Sequence, residues 1–212
     1  MALEIEVKYL DADHAGLRQR LESLAATCAG RWLESNTVFD DARRSLRASG
    51  TLLRLREEPG RFVLTLKRAA SGTVSTHAKV YEESETDISD PASLNAILAG
   101  LGLTPALRYE KFRETWSLLD CEVCLDTLPF GDFVEVEGSE KDIAACAKAL
   151  GLPQDKASTA TYHDLNRQSR AALGLAPIES FVFDAAAKAR LLAHCGPDQN
   201  GLPPLDRRPP NA

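Results

Sequence analysis

The sequence predicts an α+β fold in which eight antiparallel strands close into a β-barrel with a charged interior and helices packed outside. Three observations lead there. Eight segments read as strands, by alternation or by β-branched and aromatic content. Several breaks between them are too short for a helical crossover, which makes the neighbours antiparallel. Most of the strands gather ionic side chains on a single face, and helices are needed to cover the opposite, apolar one.

Leu3 to Leu10 opens the chain as a strand, with Leu3, Ile5, Val7 and Tyr9 on one side and Glu4, Glu6 and Lys8 on the other. Asp13 to about Thr27 predicts a helix, since Leu17, Leu21 and Leu24 share a face. Thr37 to Asp41 reads as a short strand; Thr51 to Glu58 and Arg61 to Arg68 follow, joined at Pro59-Gly60. Thr76 to Asp87 is the fifth strand. A helix opens at Asp90-Pro91, where proline suits the first turn, and ends near Gly100. Leu107 to Leu118, Cys121 to Leu128 and Asp132 to Ser139 complete the strands.

Ser139 with Asp142 resembles a capping box for a helix that closes at Gly151, and another helix follows Ser158 through Tyr162 and Leu165. Ile178, Phe181, Val182, Ala185, Ala189 and Leu192 recur at helical spacing and predict a last helix stopped by Gly196-Pro197. Its apolar face either packs on the barrel or meets a second subunit in a homodimer. Pro197 to Ala212 is proline-rich and reads as irregular.

Composition narrows the function. Lys and Arg number 25 against 31 Asp and Glu, a formal net charge of −6, which disfavours a sequence-independent grip on nucleic acid. No apolar run approaches the ~18 residues of a membrane span or forms a signal-peptide core, so a cytoplasmic protein without membrane contact is expected. The five cysteines are scattered and read as reduced thiols. Cys121-x-x-Cys124 lacks a second pair, and a strand points its two thiols to opposite faces. His14, His77, His163 and His194 form no ligand set. With no Walker-type loop in the chain, phosphates would have to be held by side chains.

The ionic faces carry the chemistry. Arg54 and Arg56 lie opposite Leu53 and Leu55, Lys67 opposite Leu64 and Leu66, and Lys111 and Arg113 opposite Phe112. Glu83 and Glu85 share a face, Asp126 opposes Leu125, and Glu135 and Glu137 oppose Val134 and Val136. On one strand alone this would be a solvated face. Repeated around a barrel, it turns both signs of charge inward, where each ion costs several kcal/mol unless paired or coordinated. Carboxylates beyond what the cations satisfy suit hard divalent ions, and Arg forks suit phosphate oxygens. A triphosphate bound with Mg²⁺ or Mn²⁺ meets both demands. Glu4 and Glu6, ~6.6 Å apart along their strand, can converge on one ion or flank a pair.

With Glu4-x-Glu6-x-Lys8 followed in order by Leu53-Arg54-Leu55-Arg56, Leu64-Thr65-Leu66-Lys67, Glu83-x-Glu85, Lys111-x-Arg113, Leu125-Asp126 and Phe133-Val134-Glu135-Val136-Glu137, the chain resembles the CYTH superfamily of triphosphate tunnel metalloenzymes. That family includes class IV adenylyl cyclases, thiamine triphosphatases and inorganic triphosphatases. The resemblance implies an open-ended tunnel across residues 1–173, with 174–212 as an extension whose role is open. It implies that Glu4, Glu6, Asp126, Glu135 and Glu137 hold Mg²⁺ or Mn²⁺, joined by Glu83 and Glu85, which either coordinate metal or orient the cations. Lys8, Arg54, Arg56, Lys67, Lys111 and Arg113 would hold the triphosphate. Lys156, in a segment resembling one that closes a tunnel mouth, would join them, and Tyr162 is read as packing. Tyr81 stands where many relatives carry Arg, which implies a weaker or displaced phosphate grip on that strand. Lys8, Glu4, Glu6 and Glu137 are the expected catalytic residues. The expected reaction is metal-dependent hydrolysis of a small triphosphate to release orthophosphate; cyclic AMP formation from ATP is the alternative, and a non-catalytic polyphosphate- or nucleotide-binding module the third reading.

Overall fold

A computed structural model of the chain describes residues 2–70, 78–193 and 195. Its elements in order are β1 (Ala2–Leu10), α1 (His14–Ser23), β2 (Thr27–Asp40), α2 (Ser45–Ala48), β3 (Thr51–Glu58), β4 (Arg61–Ala69), β5 (Lys79–Asp87) and α3 (Pro91–Gly100). Then come β6 (Thr104–Leu118), β7 (Cys121–Leu128), β8 (Gly131–Glu137), α4 (Glu140–Leu150), β9 (Ala157–Ser158), α5 (Tyr162–Ala172) and α6 (Ala185–Leu192). Thr76 and His77 lie outside the described residues.

The strands pair in the order β5-β4-β3-β2-β6-β7-β8-β1, and β1 returns to β5 to close an eight-stranded antiparallel barrel. β9 adds two residues beside Lys8 and Tyr9. The main apolar core lies outside the barrel wall. Leu17 and Leu21 of α1 and Ile143, Cys146 and Leu150 of α4 cover Val7, Val123, Leu125, Val134 and Val136, which face outward from the strands. Each such Val or Leu contributes about 2 kcal/mol by burial. On the other side, Leu94 and Leu98 of α3 pack with Phe39 and Leu55. Among the described residues no helix is long and apolar enough to cross a membrane.

The helix starts follow local chemistry. Asp13 and Asp90 each accept two backbone N–H bonds ahead of α1 and α3, and Ser139 accepts one from Asp142 ahead of α4. Gly151 closes α4 in the left-handed region at φ 72°, where a side chain would be strained.

Two expectations need correction. α1 ends at Ser23, and the strand expected over Thr37 to Asp41 begins ten residues earlier, at Thr27 where the helix is predicted to end, as β2. Gly30 sits at a bulge in this strand, and Glu34 and Asn36 face inward. Both faces of the stretch mix polar and apolar residues, Trp32 beside Glu34 and Asn36 on one and Leu33 beside Arg31 and Ser35 on the other, which blurs the alternation by which a strand is normally read. The predicted helix from Ile178 starts only at Ala185, capped by Asp184. Residues 178–183 are irregular, with a bend at Glu179 and one bridge to β6: Phe181 N–H donates to the Arg108 carbonyl at 3.0 Å, and Glu110 N–H donates to the Phe181 carbonyl at 2.9 Å. β6 runs past the reach of β7 and leaves an edge whose backbone groups need partners. Phe181 is buried as helical spacing implies, but Phe183 is buried with it while Ile178 and Val182, of the same predicted face, are exposed.

Candidate functional site

The period of two along each strand delivers the ionic faces to the interior. A cavity of about 600 Å³ is lined by Glu4, Glu6 and Lys8 of β1, Arg54 and Arg56 of β3, Lys67 of β4, Glu83 and Glu85 of β5, Lys111 and Arg113 of β6, and Glu135 and Glu137 of β8. Opposite charges sit in mutual contact. Lys8 Nζ lies 2.6 Å from Glu6 Oε1 and 2.8 Å from Glu135 Oε1. Lys67 pairs with Glu4 and, at 3.3 Å, with Glu83. Arg56 donates to Glu85 at 3.1 Å; Arg54 donates to the Tyr109 hydroxyl at 3.1 Å and to Thr65 Oγ1 at 3.2 Å.

Two expected ligands are placed elsewhere. Asp126 is fully buried behind the lining, where it accepts a two-point contact from Arg113 at 2.8 and 2.6 Å, one from Lys111 at 3.1 Å and one from the Tyr162 hydroxyl at 2.8 Å. Its oxygens are spent on orienting cations. Lys156 lies on the outer surface beside Asp11, at 2.6 Å, and does not line the cavity. Tyr162, read as packing, does contact the Phe133 ring, but it also bonds Asp126 and lies under the Lys8 and Lys111 ammoniums.

Several functional positions escaped the sequence reading. Glu34, wholly buried, stands 3.6 Å from Lys111 and 4.0 Å from Arg56, and neither of its oxygens has a hydrogen-bond donor among the described residues. The signal was present: Leu33, Thr37 and Phe39 alternate with Glu34, as on the other strands. Lys79 and Tyr109 also line the cavity, next to Tyr81, which the sequence does single out, and Arg44, Arg47, Arg167, His163 and Glu179 surround its mouth.

The buried pairs decide the protonation states. Burial alone would depress Lys8, but Glu135 and Glu6 outweigh it and hold the ammonium above its usual range. Burial likewise opposes ionisation of Glu135 and Glu34, yet nearby cations, Lys8 first for Glu135 and Lys111 first for Glu34, keep both carboxylates well below their ordinary range. Two groups go the other way. Burial, aided by a hydrogen bond with Glu4, pushes Glu83 up to about 8 against the pull of Lys67. Burial and the charge of Lys8 bring Lys79 down to about 8. The cavity-lining cations Lys8, Arg54, Lys67, Lys111 and Arg113 are thus charged at neutral pH.

The donor chemistry fits a hard divalent cation, since the acids offer carboxylate oxygens, and Glu6 and Glu137 are direct partners across β1 and β8. As the side chains stand, ammonium groups occupy the Glu4, Glu6 and Glu135 carboxylates, and among the described residues no three acid, His or Cys side chains converge on one point.

Residues 2–164 match the family model of the CYTH domain. The chain belongs to the CYTH domain family. A curated relative, a candidate adenylate cyclase of Methanocaldococcus jannaschii, is 26% identical to this CYTH chain over 174 residues, covering 77% of it and 98% of the relative. The solved structure of a candidate adenylate cyclase from Vibrio parahaemolyticus has a TM-score of 0.67 at 20% identity, covering 76% of this chain and 95% of that one. A candidate adenylyl cyclase from Hippeastrum, described as having a dominant triphosphatase activity, has a TM-score of 0.54 at 17% identity over 83% of this chain and 97% of its own. These structural likenesses show the common CYTH barrel. The activities in the relatives' names, cyclisation and triphosphate hydrolysis, both act on a triphosphate chain.

Proposed function

We propose that this CYTH protein is a divalent-metal-dependent triphosphatase that releases orthophosphate from inorganic triphosphate or an organic triphosphate. The observation that carries the reading is the partner exchange available in the cavity. Lys8, Arg54, Arg56, Lys67, Lys111 and Arg113 face carboxylates that a phosphate chain can replace. The displaced acids Glu4, Glu6, Glu135 and Glu137, with Glu83 and Glu85, would hold Mg²⁺ or Mn²⁺. When bound, such an ion supplies charge neutralisation and a more acidic bound water.

The chain's own residues do the positioning. Arg forks and ammoniums bind the non-bridging oxygens inside the barrel, where these contacts strengthen as charge moves onto the leaving phosphate. Asp126 and Glu34, fully buried, hold Arg113, Lys111 and Arg56 in place without occupying substrate space. Water adds to the terminal phosphorus, the bridging P–O bond breaks, and diphosphate leaves.

Class IV adenylyl cyclase activity is the second reading. The relatives' names favour it, and so does a cavity of about 600 Å³, within the range of pockets that hold drug-sized organic ligands. The deciding experiment supplies inorganic triphosphate, ATP and thiamine triphosphate separately with Mg²⁺ or Mn²⁺ and resolves orthophosphate, diphosphate and cyclic AMP. Orthophosphate from any of the three supports hydrolysis; cyclic AMP with diphosphate replaces it by cyclisation. Triphosphate binding without metal-dependent turnover would leave a binding module.

A further inference from the structure

We propose that Arg44 and Arg47 form an additional anion position at the cavity mouth, and that Glu179, by filling it, restricts the tunnel to ligands whose negative charge ends at three phosphates. The inference rests on the triphosphate reading above and adds a length limit to it. Glu179 lies outside residues 2–164, the part matched to the family, so the limit belongs to the C-terminal extension of this chain.

After α5 the chain returns along the cavity as an irregular strap, with Pro177, Ile178 and Glu179 among the lining and a bend at Glu179. Asn166 Nδ2 donates to the Ile178 carbonyl at 2.7 Å on one side of Glu179, and Phe181 exchanges backbone bonds with β6 on the other. Glu179 is therefore presented by a strap fixed at both ends. Its carboxylate pairs with Arg47 and, at 3.6 Å, with Arg44. All three residues line the same cavity as the tunnel cations. Contacts link the two: Arg54 bonds the Tyr109 hydroxyl, the Tyr109 ring meets the His163 ring edge-on at 5.2 Å, and the His163 ring packs on Phe181 of the strap at 5.1 Å.

Arg44 adds an independent sign of function. Its backbone lies in the left-handed region at φ 59° and ψ 40°, which costs about 1 kcal/mol for a residue with a Cβ. A bond from its Nη2 to the Ala106 carbonyl at 3.1 Å holds the guanidinium at the mouth. Two guanidiniums directed at one carboxylate can equally receive a phosphate. The side chains of Glu179, Arg44 and Arg47 are 44%, 41% and 53% exposed, so the present pairs are screened and weak. A fourth phosphate would have to expel Glu179 against like-charge repulsion. A free triphosphate, or one that continues into an uncharged organic group, would not.

Calorimetry on the full chain with inorganic triphosphate and tetraphosphate, once with Mg²⁺ and once with EDTA, tests this. The unmodified chain should bind triphosphate more tightly. Glu179→Gln should shift the affinity ratio toward tetraphosphate by about fivefold, and adding Arg47→Gln should cancel the shift. An unchanged ratio in Glu179→Gln, with triphosphate still bound, overturns the length limit and leaves the triphosphate reading standing. Absence of triphosphate binding in both buffers overturns the two together.

Discussion

Arg113 and Asp126 are direct partners across β6 and β7, joined by two parallel hydrogen bonds of 2.8 and 2.6 Å inside the barrel wall. Asp126 is fully buried and also receives Lys111 and Tyr162. Removing its charge leaves Arg113 with Glu135 and Lys111 with Glu34 and Glu135 as remaining counter-charges, and breaking a buried pair costs about 3–5 kcal/mol. Asp126→Asn should therefore lower stability by about 3 kcal/mol in urea denaturation. A loss below about 1 kcal/mol would show that the pair behaves as a surface one.

Glu137→Gln and Glu4→Gln should abolish metal-dependent turnover while the melting temperature stays within a few degrees, because both residues line the cavity and bear none of the apolar core. EDTA should do the same to the unmodified chain. Turnover at the parent rate in either variant removes that residue from the metal group.

Arg56→Ala should weaken triphosphate binding by about tenfold or more, the loss of a charge-assisted contact. Its guanidinium is 3.1 Å from Glu85 and reaches the cavity. Titration calorimetry on folded variant protein measures it; equal affinity would mean that phosphate does not replace Glu85 at this position.

Lys79 loses its proton near pH 8 because it is buried beside Lys8. A phosphate chain favours the protonated form. Triphosphate affinity should accordingly be level below pH 8 and fall above it, with proton uptake on binding seen as a buffer-dependent heat. In Lys79→Arg, whose guanidinium does not titrate, the fall above pH 8 should flatten.

Glu83 titrates near 8 in the folded chain, above its ordinary range, through burial and its contact with Glu4. Between about pH 4.5 and 8 the native state keeps a proton that the unfolded chain has released. This contribution is therefore full below the unfolded value and is lost as pH rises through the folded one. Glu83→Gln removes the titration. Its melting temperature relative to the parent, without metal, should climb between pH 5 and pH 8; a constant difference would show that Glu83 is already ionised at pH 5.

Much of the site was legible because the signal is local. Glu4, Glu6 and Lys8, or Glu135 and Glu137, share a face by backbone geometry alone, and apolar residues on the opposite face say which way that face turns. Glu34 was hidden by a strand start that looked like a loop, and Lys79 by having no charged neighbour at i±2. Lys156 sits correctly in the sequence pattern but answers to Asp11, 145 residues away along the chain.

The amino-acid order by itself determined which side chains face into the barrel and which pack outside it, because alternation along a strand needs no knowledge of other strands. Only the folded chain decided what each ion does there. Asp126 became an internal counter-charge and Glu179 a mouth residue through partners on distant strands and turns, and the segment from Ile178 became a strap because β6 outruns β7. Those outcomes depend on which charges and open backbone groups meet across the closed sheet, a property of the whole barrel that no window of sequence contains.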